Sequence, residues 1–351
     1  MGNSADFEAE ASTTAEGFAA LDNDEQVARL TALAAGALEA WDLATPHLEL
    51  VKYRENTVFA VTSGDGRRAV LRVHRPGYRS DLDIRCELAW MRHLDSRGIA
   101  TPQALTTREG NLVVTVAGRG VPEARQCVLM EWVEGSPPGT LEGGVADSDD
   151  AVRALYRAVG GVAARMHTLV EAWDRPAPFS RPSWNVATLV GDSPTFGRFE
   201  DLDVISAEQM AVLITARDRV RQRLTDLGPA VELIHGDLVP DNILLDGSAM
   251  RIIDFDDFGW SWVGLEMATS LFPLQISGGF EAGLAGFLEG YRGVRPFPEA
   301  ELEFLPDMLL ARALSYLGWP VGRPEIASAR DLAPMIAFMV TEAAEQYLAS
   351  H

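Results

Sequence analysis

Apolar residues recur at helical spacing over 24–42, where Leu30, Leu33, Ala34 and Leu38 fall on one stripe. Three shorter segments, 48–53, 57–62 and 68–74, have strand length. The last alternates so that Val70, Arg72 and His74 share a face. Gly64-Asp-Gly66 supplies the turn between the second and third. Leu82, Leu88, Met91 and Leu94 predict a helix over 81–97 with Gly98 as its stop. Strands are expected at 103–107 and 111–116, followed by an apolar strand from Val128 that runs into a Gly-ended turn at Gly135. Residues 135–150 are rich in Gly, Pro and acids and read as a linker or loop. A strong helical pattern covers 152–170, and a shorter helical run covers 265–271.

The densest chemistry lies in His235-Gly-Asp-Leu-Val-Pro-Asp-Asn242, followed after a short apolar segment by Ile252-Ile-Asp-Phe-Asp256. Asp237 and Asn242 keep the separation of a kinase catalytic loop, H-R-D-x-x-x-x-N, with Gly236 in place of the Arg. Asp254 follows where such an enzyme places a metal-binding Asp. Phosphoryl transfer needs a carboxylate that orients the acceptor hydroxyl and takes its proton. It also needs hard oxygen ligands that hold Mg²⁺ on the nucleotide phosphates. Asp237 fits the first task, and Asn242 with Asp254 fits the second. The structural alternative is a buried turn whose Asp and Asn cap backbone groups. Two motifs in the required order and spacing argue against it.

Three upstream segments stand in kinase order. Arg72 occupies the strand position of the cation that grips the nucleotide phosphates, and Glu87 in the following helix is its natural carboxylate partner. Residues 128–135 stand at the position of the hinge. Taken singly, Arg72 could be a surface cation and Glu87 a solvated helix residue; their order along the chain argues for function. On these residues the chain resembles the aminoglycoside phosphotransferase/choline kinase superfamily, and within it the homoserine kinase and stress-response kinase A-like branch. The similarity covers nearly the whole chain after a short tail, with motifs occupying roughly a fifth of it. It implies an α+β, bilobal, protein-kinase-like fold: a small β-rich N-lobe over 24–132 that covers the nucleotide, and a larger, mainly helical C-lobe over 133–351. It also implies that Asp237 is the base, that Asn242 and Asp254 are metal ligands, and that the Glu131 carbonyl and Val133 amide meet adenine. Asn56 would lie in the nucleotide-covering loop. The implied cofactors are ATP, with GTP left open, and Mg²⁺.

Two departures from the family pattern stand out. The strand cation is usually Lys, and here it is Arg72; the chain has one lysine, Lys52, on the first expected strand. Arg keeps a permanent charge and a planar fork suited to phosphate, while Lys52 is the alternative phosphate cation. Glu266 stands where the family commonly places an Asp that braces the catalytic loop.

The acceptor question falls on an insertion at about 171–230 and on the residues after Asp254. Trp173, Phe179, Trp184, Phe196 and Phe199 alternate with polar residues in the insertion, as in a small-molecule pocket or in ordinary lobe packing. Asp256 and Asp257 could bind an ammonium group, and Trp260 or Trp262 could stack on a cation or sugar face. The helical run from 265 leaves no room for the activation segment with which protein kinases dock a peptide. The leading expectation is therefore an ATP- and Mg²⁺-dependent O-phosphotransferase acting on a hydroxyl-bearing small molecule, either a cationic antibiotic or an amino alcohol. A Ser/Thr protein kinase of the stress-response kinase A type and an inactive nucleotide-binding regulator are the alternatives.

Composition narrows the setting. Thirty Lys and Arg against 51 Asp and Glu give a formal net charge of −21, which excludes nucleic acid and anionic membrane as expected partners. The first 25 residues hold seven of those acids and no base, so 1–23 is expected to be a disordered acidic tail. Nearly half the chain is hydrophobic, at 47%, yet no apolar run approaches the ~20 residues that cross a bilayer. The N-terminus lacks the basic region and apolar stretch of a signal peptide, and Asp6 argues against myristoylation. Cys86 and Cys127 fall inside expected elements and read as reduced core residues, so a cytoplasmic location is expected. No oligomeric state is implied.

Overall fold

The computed structural model describes residues 14–54, 56–139, 145, 148–323 and 326–350. Helix α1 (Ala15–Ala19) is capped by Thr14, and α2 (Asn23–Leu38) starts at Asp22, whose side chain accepts from the Glu25 amide. The expected disorder of 1–23 is thereby corrected at its end. Phe18 buries in the same cluster as Leu30, Leu33, Ala34 and Leu38, which is enough apolar surface to hold the segment down. Residues 1–13 lie outside the described residues.

Strands β1 (His47–Tyr53), β2 (Thr57–Thr62) and β3 (Arg68–Val73) form an antiparallel sheet joined by β5 (Arg125–Glu131) and β4 (Val114–Val116), in the order β1-β2-β3-β5-β4. Period-two alternation sorts the faces. Phe59, Val61, Leu71, Val73 and Leu129 bury against α2, while Val58, Val70, Arg72 and Met130 face a cleft on the other side. The strand expected at 103–107 reduces to a single bridge, Ala104 opposite Met130, with the Leu105 amide bonded to the Leu129 carbonyl. Helix α3 (Asp81–Ser96) begins with a capping box between Ser80 and Asp83.

The larger lobe is mainly helical. Helix α4 (Asp149–Glu171) is followed by α5 (Val186–Val190) and α6 (Ala207–Leu227). Much of the expected insertion is therefore ordered helix, with Leu213, Ala216, Val220 and Leu224 buried. Two short strand pairs carry the chemistry. Strand β6 (Glu232–Ile234) pairs with β9 (Gly259–Ser261), and β7 (Ile243–Asp246) pairs with β8 (Ala249–Ile252). Helices α7 (Val263–Ser277), α8 (Phe280–Arg292), α9 (Glu299–Leu302), α10 (Leu305–Gly318) and α11 (Ala327–Ser350) complete the lobe. Buried residues of α3 and β5, among them Ile84, Leu88, Met91 and Val128, belong to the same core cluster as these helices.

Candidate active site

Hairpin β7–β8 brings the two motifs together. Ile243 pairs with Ile252, and the Ile253 amide donates to the Asn242 carbonyl, so Asn242 and Asp254 stand side by side at the open end. Asp254 has φ of 61°, a backbone conformation rare for a residue with a side chain and typical of functional loops. Asn242 donates through Nδ2 to the Asp237 carbonyl and to Asp237 Oδ2, both at 2.8 Å. With the amide nitrogen committed, its Oδ1 is the atom left for a cation. The donors suit Mg²⁺, a hard ion that takes one or two protein oxygens and completes its shell from nucleotide phosphates and water. Among the described residues no cluster of three or more His, Cys, Asp or Glu could hold a metal by itself.

The loop from His235 to Asn242 is held from behind. Glu266, fully buried in the first turn of α7, accepts from the His235 and Gly236 amides, each at 2.9 Å. Burial alone would raise its carboxyl; the His167 ring, with Nε2 3.8 Å away, the charge of His235 and the Gly236 amide outweigh it and hold Glu266 below its usual range. The longer acid thus does the bracing that the family commonly gives to Asp. Gly236 itself has φ of +80°, and a Cβ there would lie 2.5 Å from the Asp257 carbonyl oxygen. The Arg of the protein-kinase motif has no room at this position.

A cleft of about 540 Å³ runs between the sheet and these loops. Its inner end is apolar, with Val58, Val70, Met130, Leu244 and Ile253, and is edged by Glu131 and Val133. Arg72 and Lys52 both line it, because each pairs with Val58 of β2 from the flanking strands and so shares its row. They differ in fixation. Arg72 is 4% exposed and pairs with Glu87 Oε1 at 2.5 Å, with Asp254 Oδ1 at 3.7 Å, whereas Lys52 is exposed. Burial would lower the Arg72 guanidinium, but Glu87, Asp256 and Asp254 more than offset it and keep it charged.

The outer end is acidic and aromatic. Asp237, Asp241, Asp256 and Asp257 meet Phe196, Phe272, Tyr316 and Trp319 there, together with Arg312. Asp254 is pushed up to about 6 by burial, with repulsion from Asp256 and Asp237 adding to the rise and the charges of Lys52 and Arg72 opposing it. Asp257 is likewise pushed up to about 6 by burial against Arg79, with Asp237 and Asp256 contributing. Asp256 goes the other way: burial would raise it, but Arg72 and Arg79 dominate. This crowding of carboxylates around one point is electrostatically suited to a cation.

A family model described as the phosphotransferase enzyme family matches residues 47–297. The chain belongs to that family. As a member it is a phosphotransferase. The solved structure of a microcompartment-associated aminopropanol kinase is 30% identical, with a TM-score of 0.79, covering 91% of this chain and 98% of that one. The amicoumacin kinase hAmiN, solved with AMP-PNP, Ca²⁺ and its antibiotic, is 20% identical with a TM-score of 0.72, covering 92% and 96%. A homoserine kinase of Azorhizobium caulinodans is 26% identical over 67% of this chain and 68% of its own. The bilobal α+β architecture expected from the motifs is the fold these phosphotransferases share.

Asp237, Asn242, Asp254, Arg72, Asn56, Glu131, Val133, Asp256 and Asp257 all line the one cleft, with Glu87 behind Arg72. Asn56 sits in the β1–β2 turn, where it donates to Asp256 Oδ2 at 3.1 Å and accepts from the Arg75 amide. The three tryptophans are corrections. Trp184 is buried and donates to the Asp257 carbonyl, Trp262 is buried and donates to the Gly228 carbonyl, and Trp260 packs edge-on against Phe179; none lines the cleft. Of the five insertion aromatics, Phe196 alone reaches it. Arg312, Ser315, Tyr316 and Trp319 were missed as cleft residues. Their signal was a stripe at i, i+3, i+4 and i+7 on an otherwise apolar helix.

Proposed function

We propose that the protein is an ATP- and Mg²⁺-dependent O-phosphotransferase that passes the γ-phosphoryl group to the hydroxyl of a small, amine-bearing acceptor. The observation that carries this is that Asp237, Asn242 and Asp254 line one cleft together with the apolar Val58, Val70 and Ile253 and the carboxylates of Asp256 and Asp257. Adenine belongs at the apolar end, against Val58, Val70 and Ile253, with the hinge at Glu131 and Val133. Arg72, held by Glu87, faces the phosphates. Asn242 and Asp254 would hold Mg²⁺, which neutralises phosphate charge and orients the transferring group when bound. Asp237 takes the acceptor's hydroxyl proton as its oxygen bonds to the γ-phosphorus; the bond to the β-bridging oxygen breaks and ADP leaves.

The acceptor is small because nucleotide and acceptor share about 540 Å³, the size of an ordinary single-ligand site. Helix α7 begins at Val263, so the activation segment of a protein kinase is missing between Asp254 and that helix. The aminopropanol and homoserine kinases among the similar proteins support an amino alcohol over an aminoglycoside. The test is ADP release across a panel of hydroxylated amines, with mass determination of the product. Asp237→Asn should fold normally and lower kcat by about 10²–10⁴. A variant that keeps most of the wild-type turnover would remove Asp237 from the mechanism.

A further inference from the structure

Arg312 occupies a place that the phosphoryl-transfer chemistry leaves unexplained. It projects from α10 to the outer end of the cleft, where its Nη2 lies 2.7 Å from Asp237 Oδ1. Asn242 already occupies Asp237 Oδ2, so both oxygens of the base are engaged by the protein. An Oδ1 paired with Arg312 is closed to the acceptor's hydroxyl, so the pair has to open before Asp237 can act through that oxygen.

Arg312 also differs from the structural arginines around it. Arg181 is fully buried and donates to the carbonyls of Asp83, Phe255, Asp256 and Phe258. Arg79 is bound to the Asp256 carbonyl and the Asp257 carboxylate. Arg312 remains 17% exposed on the cleft wall. Asp237 is its one ion-pair partner among the described residues, with the Phe196 ring 6.0 Å from its guanidinium carbon. Most of the five donors of its planar fork therefore remain available to a ligand. Asp237, Asp241, Asp256 and Asp257 line the same cleft and set its charge against that of Arg312.

We infer that Arg312 receives a carboxylate on the acceptor, so that the preferred substrate is a hydroxy-amino acid rather than a simple amino alcohol. This rests on the kinase reading above. A carboxylate matches the guanidinium fork in two parallel bonds. The acceptor's ammonium would meet the carboxylates of the outer end, and its hydroxyl would meet Asp237. When the carboxylate binds, it exchanges for Asp237 on Arg312, leaving Oδ1 of the base for the hydroxyl. A substrate lacking the carboxylate leaves Arg312 on the base.

Three matched pairs of acceptors test this, each differing by one carboxylate: serine and ethanolamine, threonine and 1-amino-2-propanol, homoserine and 3-amino-1-propanol. With Mg-ATP and the full chain, kcat/KM is expected to favour the carboxylated member of the pair that reacts best. The preference should be about tenfold to hundredfold, the worth of a charge-assisted hydrogen bond. In Arg312→Gln the ratio within that pair should fall toward one, mainly through KM of the carboxylated member, and Arg312→Lys should restore part of it. A thermal melt matching wild type confirms that the variants fold. Preference for the decarboxylated member overturns the inference, and so does turnover of none of the six. An equal fall of kcat for both members in Arg312→Gln also overturns it and assigns Arg312 to the transferring phosphoryl group. Calorimetric binding of Mg-ATP to the same protein reports separately on the kinase reading.

Discussion

Two cations, Arg72 and Lys52, line the cleft from the same row of the sheet, and their surroundings decide which of them is proposed to meet phosphate. Arg72 is buried, ion-paired to Glu87 and within reach of Asp254, so its guanidinium is placed before nucleotide arrives. Lys52 is exposed on β1 and would have to give up side-chain entropy on binding. Arg72→Ala is therefore expected to raise KM for ATP and to lower kcat by about tenfold to a thousandfold, as the loss of a buried charge contact with phosphate should. Lys52→Ala should change either constant by less than about threefold, and Arg72→Lys should recover part of the activity. Steady-state kinetics on the three variants check this; a severe Lys52→Ala with a nearly silent Arg72→Ala would move the phosphate cation to the first strand. Asp237, Asn242, Asp254, Arg72 and Glu87 were legible in the sequence because each sits at a fixed offset within one loop, strand or helix. The tryptophans misled for the opposite reason. Adjacency to Asp254 does not say which way a side chain points, and Trp260 on β9 packs against Phe179 instead of the cleft.

At the scale of elements, local pattern served where burial is one-sided. Strands β1, β2 and β3 and helices α3 and α4 fall within a few residues of their expected bounds, because alternation or a helical stripe marks the face that meets the core. Segment 103–107 failed because its pairing with β5 is a single bridge, set by tertiary approach and not by propensity. Helix α6 was not anticipated inside a segment read as pocket or loop, although Ser206 and Gln209 form its capping box. The helix ends also carry a testable acid. Glu301, in α9, accepts from the Gly264 amide at the start of α7, yet burial pushes its carboxyl up to about 7, with Glu232 adding to the rise. A folded value above the unfolded 4.5 means that its stabilising contribution is complete below about pH 4.5 and is lost as pH rises through about 7. Glu301→Gln, which cannot ionise, is thus expected to gain on wild type by on the order of 1–2 kcal/mol between pH 5 and pH 8, after allowance for partial exposure. Thermal melts of both proteins at the two pH values measure it; a constant difference would assign the titration elsewhere.

For the molecule as a whole, the sequence boundary between lobes is not a packing boundary. Helix α3 and strand β5 share the core of the larger lobe, and Arg79 reaches across to Asp256 and Asp257 while Arg75 reaches the Gly322 carbonyl. The cleft is therefore built from residues whose positions depend on both lobes at once. A ligand bound there should stabilise the whole fold as one unit. At a hundredfold excess over its dissociation constant, Mg-ATP is expected to contribute about 2.7 kcal/mol. Because stability per degree grows with chain length, the melting temperature of this chain should rise by roughly 3–8 °C. The effect should require the divalent ion, since Asp254, Asp256, Asp257 and Asp237 crowd the one cleft with negative charge that a bare triphosphate would only increase. Differential scanning calorimetry with ATP, ATP plus Mg²⁺, and ATP plus a chelator measures this directly. Asp254→Ala should keep a single unfolding transition but lose most of the Mg²⁺-dependent part of the shift. A shift of equal size with and without Mg²⁺ would remove Asn242 and Asp254 from the metal site and leave the cations of the sheet as the sole partners of the phosphates.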